Sequence, residues 1–102
     1  MRRRVYGSCL IETIIGVLES MPVQSAILYG SYADGTQTDN SDIDLIVSVD
    51  DSLKGLLFYE LLDKLVVATG KDVDLIESSE VDPYSTLYRD IKEKGQLIYI
   101  RS

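Results

Sequence analysis

The sequence predicts one small domain of the α/β class, in its α+β form, in which about four strands alternate with helical segments. Its 102 residues are enough for a single core. Apolar residues make up 45% of the chain and charged residues 26%, which is typical of a folded globular domain. Helical and strand patterns follow one another without a linker or repeat. We therefore expect residues 1–102 to form one domain.

The first half of the chain predicts four elements. They are a helix over residues 6–20, a strand over 23–29, one helical turn beginning at Ser31 and a strand over 41–49. Leucine and isoleucine recur at helical spacing in the first element, and Pro22 ends it. The first strand is apolar and is closed by Gly30, which favours a tight turn before the polar stretch that follows.

The second half predicts four more elements. They are a helix over residues 52–69, a strand over 72–77, a helix that begins at Asp82 and Pro83 and ends at Lys94, and a strand over 96–101. Gly70 and Gly95 stand where helix ends are expected. The apolar arc of the longer helix, around Leu57, Phe58 and Leu61, is wide. This width predicts either a central helix or one that meets a partner.

The composition excludes several classes of function. The chain has no histidine, which removes imidazole-based triads and His-ligated zinc. A net charge of −7 disfavours direct binding of nucleic acid. The lone Cys9 has no disulfide partner, and we expect it to be a core residue. No apolar run approaches the roughly 20 residues that span a bilayer, so we expect a cytoplasmic protein without membrane contact.

Two carboxylates stand out in the second predicted strand. Asp42 and Asp44 are two residues apart, so a strand would place both on one face. An isolated pair of this kind also fits an edge strand with a wet polar face. The third predicted strand repeats the pattern, with Asp72 and Asp74 before the same Leu-Ile pair. If the strands are neighbours, three carboxylates meet and suit divalent cations such as Mg²⁺.

A second feature precedes these carboxylates. Gly30 and Ser31 follow a strand and open a helical turn, which places backbone N–H groups and a hydroxyl where an anion can bind. A tight turn at Gly30 and a helix N-cap at Ser31 would explain both residues equally well. No P-loop or dinucleotide-binding glycine motif occurs in the chain.

The combination resembles the signature of the polymerase-beta-like nucleotidyltransferase superfamily. It consists of Gly30-Ser31, ten intervening residues, Asp42-Ile43-Asp44 and the later Val73-Asp74-Leu75. The short length, the element order and the ending over 91–95 before a strand are similar to the minimal nucleotidyltransferases, the antitoxins of HEPN/MNT toxin–antitoxin pairs. This resemblance implies the polymerase-beta-like fold, with a mixed sheet of about four strands flanked by helices.

The resemblance also implies roles for the residues singled out above. Asp42 and Asp44 would bridge two Mg²⁺ ions, and Asp74 would complete one site and help to deprotonate the attacking hydroxyl. Gly30 and Ser31 would hold the terminal phosphates of ATP. Asp72 remains a rival of Asp74 as third ligand, because both would share a strand face.

The function implied is that of an antitoxin that transfers AMP from Mg-ATP to a hydroxyl, expected on a tyrosine, of a cognate HEPN-type ribonuclease toxin. The two proteins would form a hetero-oligomer. Family members often carry a basic residue where this chain has Asp34. This residue favours one alternative, a non-catalytic antitoxin that binds and occludes its toxin. A second alternative also stays open, a small-molecule nucleotidyltransferase that works with a helical partner chain.

Overall fold

The structure is a computed structural model that describes residues 8–38, 40–50 and 55–101. The predicted order of helices and strands is confirmed. The elements are α1 (Ser8–Glu19), β1 (Val23–Tyr29), α2 (Ser31–Asp34), β2 (Ile43–Val49), α3 (Leu56–Thr69), β3 (Val73–Glu77), α4 (Thr86–Lys94) and β4 (Gln96–Ile100). A 3₁₀ turn at Ser78–Glu80 lies between β3 and α4.

The four strands form one mixed sheet in the order β3-β2-β1-β4. The strand β1 is antiparallel to both of its neighbours, β2 and β4, whereas β2 and β3 run parallel. The parallel pair is joined through α3, as a parallel connection requires a crossover. This arrangement confirms the predicted mixed sheet of four strands flanked by helices.

The main core lies between one face of the sheet and the helices α1 and α3. Side chains alternate along the strands, so Ala26 and Leu28 of β1 share this face with Leu45 and Val47 of β2. The two helices pack against each other, α1 also contacts β4 and α3 contacts β3, and their buried side chains join one core cluster with those of β1 and β2. Their fully buried side chains are Ile14, Leu18, Leu61 and Leu65.

The helix α4 lies against the opposite face of the sheet. Its buried Ile91 belongs to the turn that precedes Gly95, and a Cβ added at Gly95 would approach Ile27 of β1 to 2.8 Å. Ile27 and Tyr29 alternate with the core residues of β1 and therefore face α4. A glycine is required at this point because the helix end and the strand are in direct contact.

The predicted start of the second strand is wrong by two residues. Ser41 and Asp42 precede β2, because Thr38 donates its backbone N–H to the Ser41 hydroxyl at 2.8 Å and holds this segment in a turn. The strand ladder begins only at Ile43, which pairs with Val73 of β3. The third strand likewise begins after residue 72, and the last strand ends at Ile100.

The predicted start of α4 is also wrong. Asp82 does not cap the helix; its carboxylate accepts the backbone N–H of Tyr84 at 2.9 Å and forms a local turn. The N-cap is Ser85, whose hydroxyl accepts the backbone N–H of Tyr88 at 3.1 Å. The side chain of an aspartate can cap a helix or close a turn, and here it closes the turn.

Cys9 is exposed, which contradicts its assignment to the core. The buried stripe of α1 runs through Ile14 and Leu18, and Cys9 lies off this stripe on the helix surface. The expected start of the first helix at residue 6 and that of the third helix at residue 52 lie outside the described residues.

The apolar arc of α3 divides into a buried and an exposed part. Leu61 and Leu65 are fully buried, so Leu61 belongs to the core and cannot meet a partner. On the outer side, Leu56 is 87% exposed, Tyr59 66% and Val67 74%. In the described ranges, no helix is long and apolar enough to cross a membrane.

Candidate active site

Three polar side chains form a row across the sheet at the end of β1. Tyr29 is the antiparallel partner of Asp44, and Asp44 is the parallel partner of Asp74. Directly paired residues point to the same face, and neighbouring strands lie about 4.8 Å apart. The sheet register therefore brings Asp44 and Asp74 together, as the repeated sequence pattern predicted. Because β2 is an interior strand, the edge-strand explanation is wrong for Asp44.

The carboxylates of this row repel one another. Partial burial, followed by the negative charges of Asp74 and then Asp42, raises the pKa of Asp44 above its usual value. Each of these causes disfavours the ionised form of Asp44. The negative charge of Asp42 thus contributes to the raised pKa of Asp44, although Asp42 lies just before β2 and its side chain is exposed.

The structure distinguishes Asp74 from its rival Asp72. Asp74 lies in β3 opposite Asp44, and its charge acts on Asp44. Asp72 precedes the strand, and its backbone carbonyl accepts the N–H of Ile43 at 2.9 Å. The contribution of Asp72 is therefore a backbone contact that starts the β2–β3 ladder, while the carboxylate in register with Asp44 is that of Asp74.

Tyr29 is a member of the site that sequence reasoning missed. Burial, together with the charges of Asp74 and Asp44, raises the pKa of its hydroxyl to about 12. The tyrosine is therefore a neutral hydrogen-bonding group beside the carboxylates over the whole physiological range. Its position directly before Gly30 was visible in the sequence, but its pairing with Asp44 depends on the register of β1 and β2.

Gly30 lies against the carboxylate of Asp44. Its φ is +75°, and a Cβ added at this position would overlap the carboxylate oxygen Oδ2 of Asp44. Both facts require glycine, because an L side chain is strained at this φ and would displace the aspartate. The short helix α2 begins immediately afterwards at Ser31, which is half-buried. The structure thus places Gly30 directly beside Asp44, with Ser31 next to it in the chain.

A cleft of about 250 Å³ lies between this turn and α4. It is lined by Tyr29, Gly30, Leu87, Asp90 and Lys94. Tyr29 belongs to both the cleft and the carboxylate row, so the two are adjacent. The α4 residues gave no sequence signal of a site, because only the packing of α4 on the second sheet face brings them to Gly30.

The three aspartates of the site carry donor atoms that fit Mg²⁺. Asp42, Asp44 and Asp74 supply carboxylate oxygens, the hard ligands that this ion prefers. Within residues 8–38, 40–50 and 55–101, no three acidic or cysteine side chains lie close enough together to hold a metal ion, so the fit to Mg²⁺ rests on the chemistry of these donors. Burial and then the charges of Asp74 and Asp42 raise the pKa of Asp44, and a bound cation would relieve the repulsion among these carboxylates.

Comparison with known proteins gives several matches. The relative from Shewanella oneidensis is named protein adenylyltransferase MntA and is 46% identical over 55 residues, which span 54% of this chain and 40% of that protein. The chain therefore matches less than half the length of this relative. A second relative, from Methanocaldococcus jannaschii, is 37% identical over 83 residues, 80% of this chain and 81% of its own length, and the name given to it proposes the same activity.

Solved structures show the same fold. A crystal structure of a toxin–antitoxin pair with AMP-PNP superposes with a TM-score of 0.74 at 32% identity, over 90% of this chain and 74% of the other. A structure of the tri-AMPylated HEPN toxin of Shewanella oneidensis with its MNT antitoxin gives a TM-score of 0.68 at 26% identity, over 91% and 71%.

The family model that matches is described as polymerase beta, nucleotidyltransferase, and it covers residues 12–102. This range includes every residue of the carboxylate row and the turn at Gly30. The match agrees with the fold and with the resemblance seen in the sequence. The chain therefore belongs to the polymerase beta nucleotidyltransferase family.

Proposed function

We propose that the chain is an antitoxin that transfers AMP from Mg-ATP to a hydroxyl of a HEPN-type toxin, and that the two proteins form a hetero-oligomer. The observation that carries this proposal is the alignment of Asp44 with Asp74, directly beside Gly30. The Shewanella relative named as an adenylyltransferase and the structures of toxin–antitoxin pairs support it. The proposed location is the cytoplasm, where ATP is available.

In this proposal Asp42, Asp44 and Asp74 hold two Mg²⁺ ions, and Gly30 and Ser31 contact the terminal phosphates of ATP. When bound, the ions offset the negative charge on the phosphate oxygens and the leaving group. Asp44 is the central ligand, because it lies in register with Asp74 and interacts electrostatically with Asp42. Gly30 keeps the phosphate turn close to Asp44, since any side chain at this position would separate them.

The transfer step is an in-line displacement at the α-phosphorus. The acceptor oxygen forms a bond to this phosphorus, and the bond between the phosphorus and the oxygen that bridges to the β-phosphate breaks. Pyrophosphate leaves, and the hydroxyl proton passes to the carboxylate of Asp74. The side chain of Asp74 is exposed, so it can meet an acceptor from another protein and return the proton to water.

The proposed acceptor is a tyrosine hydroxyl of the toxin. AMP adds an anionic group to the toxin, which repels the phosphate backbone of RNA and blocks its ribonuclease activity. The antitoxin itself carries a net charge of −7, so RNA recognition rests with the toxin. The chain thus acts through the modified partner and not on nucleic acid.

The test is co-expression of the chain with a HEPN-type toxin, followed by mass spectrometry of the intact toxin. We expect a mass increase of one or more AMP groups with the wild type and none with the Asp42→Asn, Asp44→Asn double variant. Both antitoxins should still co-purify with the partner. Equal modification of the partner by both antitoxins would reject the assignment of the aspartates.

A second candidate function is neutralisation by binding alone. The exposed apolar side chains of α3, above all Leu56 and Val67, favour it because they lie opposite the buried side of the helix. The Leu56→Asp, Val67→Asp variant should lose the toxin while keeping its circular dichroism spectrum. Leu97→Asp is the matched control, since Leu97 is 59% exposed on β4, away from this face. Neutralisation by an inactive but bound antitoxin would establish the second function.

A further inference from the structure

The cleft beside Gly30 has one positive charge among its described lining residues, the ammonium group of Lys94. Lys94 is the last residue of α4, and its side chain is exposed at the edge of the cleft. Asp90, one helical turn earlier, is also exposed in the lining. Another cation, Lys71, has its ammonium group 6.0 Å from the ring centroid of Tyr32, in the helix that follows Gly30. Lys71 does not belong to the described lining of the cleft.

The backbone at Lys94 is held firmly against β1 and α2. Gly95 donates its N–H to the carbonyl of Ile91 at 2.8 Å and is in contact with β1. Gln96 pairs with Leu28 in the sheet. The side-chain amide of Gln96 also donates to the carbonyl of Ala33 at 2.6 Å. These contacts fix the end of α4 beside the turn at Gly30, although the Lys94 side chain itself reaches into solvent.

The charge balance of the site requires a cation of this kind. The aspartates at positions 42, 44 and 74 give the site a strong negative charge. ATP brings further negative charge on its phosphates. An ammonium group at the cleft would attract the phosphates and so offset their repulsion by the nearby carboxylates.

The size of the cleft fits phosphate groups rather than a whole nucleotide. Its volume of about 250 Å³ is below the 300–1,000 Å³ that is typical for drug-sized ligands. Gly30 leaves the backbone of the turn accessible, and Lys94 faces it across the cleft. The backbone turn and the ammonium group in the lining suit the β- and γ-phosphates, and the Asp90 carboxylate, which also lines the cleft, makes the positive charge of Lys94 the more necessary.

We infer that Lys94 binds the terminal phosphates of ATP in the cleft that it lines together with Gly30. This inference rests on the proposed function, because it assigns a role at the same nucleotide site. Lys94 is a binding residue and takes no part in proton transfer. Its contribution should therefore appear in the affinity for nucleotides that carry terminal phosphates.

The test measures the Kd of ATP and AMP, each with Mg²⁺, by calorimetry on the purified chain and on three variants. In Lys94→Ala the Kd of ATP should rise at least about tenfold, while the Kd of AMP changes by less than about twofold. Lys94→Arg should restore most of the ATP affinity. The matched control is Lys92→Ala, which removes the same charge from the same helix; the Lys92 ammonium lies 5.6 Å from the ring centroid of Tyr88.

Equal ATP affinity of Lys94→Ala and Lys92→Ala would overturn the inference, as would an equal loss of ATP and AMP binding. The assay needs neither a toxin nor a transfer reaction, so it is separable from the proposed function. A chain that binds ATP through Lys94 but modifies no toxin would disprove the proposed function and leave the inference standing. A chain that modifies its toxin but binds ATP equally well without Lys94 would disprove the inference and leave the proposed function standing.

Discussion

Replacement of Asp44 by asparagine should stabilise the fold while it abolishes transfer. Asp44 lies in register with Asp74, and its pKa is raised by partial burial and by the charges of Asp74 and Asp42. The ionised wild-type side chain therefore destabilises the fold at neutral pH. Asparagine has nearly the same shape and removes the charge, so the repulsion disappears without a cavity.

The expected gain is small but measurable. Like charges at directly paired positions of a sheet cost up to about 1 kcal/mol, and screening by solvent keeps the value for half-exposed side chains at roughly 0.5–1 kcal/mol. For a domain of about 100 residues this corresponds to an increase in Tm of about 2–8 °C. The gain should vanish as the pH falls through the raised pKa of Asp44, because the wild-type side chain is then neutral as well.

The assay is thermal unfolding followed by circular dichroism, without Mg²⁺ and over a range of pH. Asp63→Asn is the control for net charge, since Asp63 is exposed on α3, and its Tm should change little. Addition of Mg²⁺ should stabilise the wild type and leave Asp44→Asn nearly unchanged. A lower Tm for Asp44→Asn than for the wild type at neutral pH would refute the electrostatic argument.

Three further substitutions test separate parts of the structure. Gly30→Ala should destabilise the fold by more than about 1 kcal/mol in urea unfolding and impair transfer, because its Cβ would overlap Asp44. The control is Gly16→Ala in α1, where nothing lies within 4 Å of an added Cβ. This substitution should be neutral or stabilising in the same assay. Tyr29→Phe should remove the step near pH 12 from an absorbance titration of the protein. Ser85→Ala should cost about 1 kcal/mol in thermal unfolding through loss of the α4 cap, and Asp82→Ala should cost less, since Asp82 only closes a turn.

Much of the fold followed from local patterns in the sequence. The strand over 23–29 and the left-handed C-cap at Gly70 were predicted correctly, because apolar runs and glycine preferences act over a few residues. The predicted starts of β2 and α4 were wrong, because Ser41 and Asp82 close turns through side-chain hydrogen bonds. Such side chains can serve either purpose, and only the surrounding backbone decides between them.

The site was predictable to the extent that it depends on the spacing of residues in the sequence. Asp44 and Asp74 were predicted as neighbours from a repeated pattern, and the parallel register confirms that they are paired. Tyr29 and Lys94 were missed as members of the site. Their positions depend on the pairing of β1 with β2 and on the packing of α4 against the sheet, both of which are long-range contacts without a local signal.

The most direct test of the central claim is a transfer assay with ATP labelled in turn at the α- and γ-phosphates, with Mg²⁺ and the HEPN-type partner. The chain should transfer the α-label and not the γ-label to the partner. Asp74→Asn should abolish this transfer, and Asp72→Asn should retain most of it, because only Asp74 lies in register with Asp44. Transfer of the γ-label, or full α-label transfer by Asp74→Asn, would contradict the proposal of an adenylyltransferase built on Asp44 and Asp74.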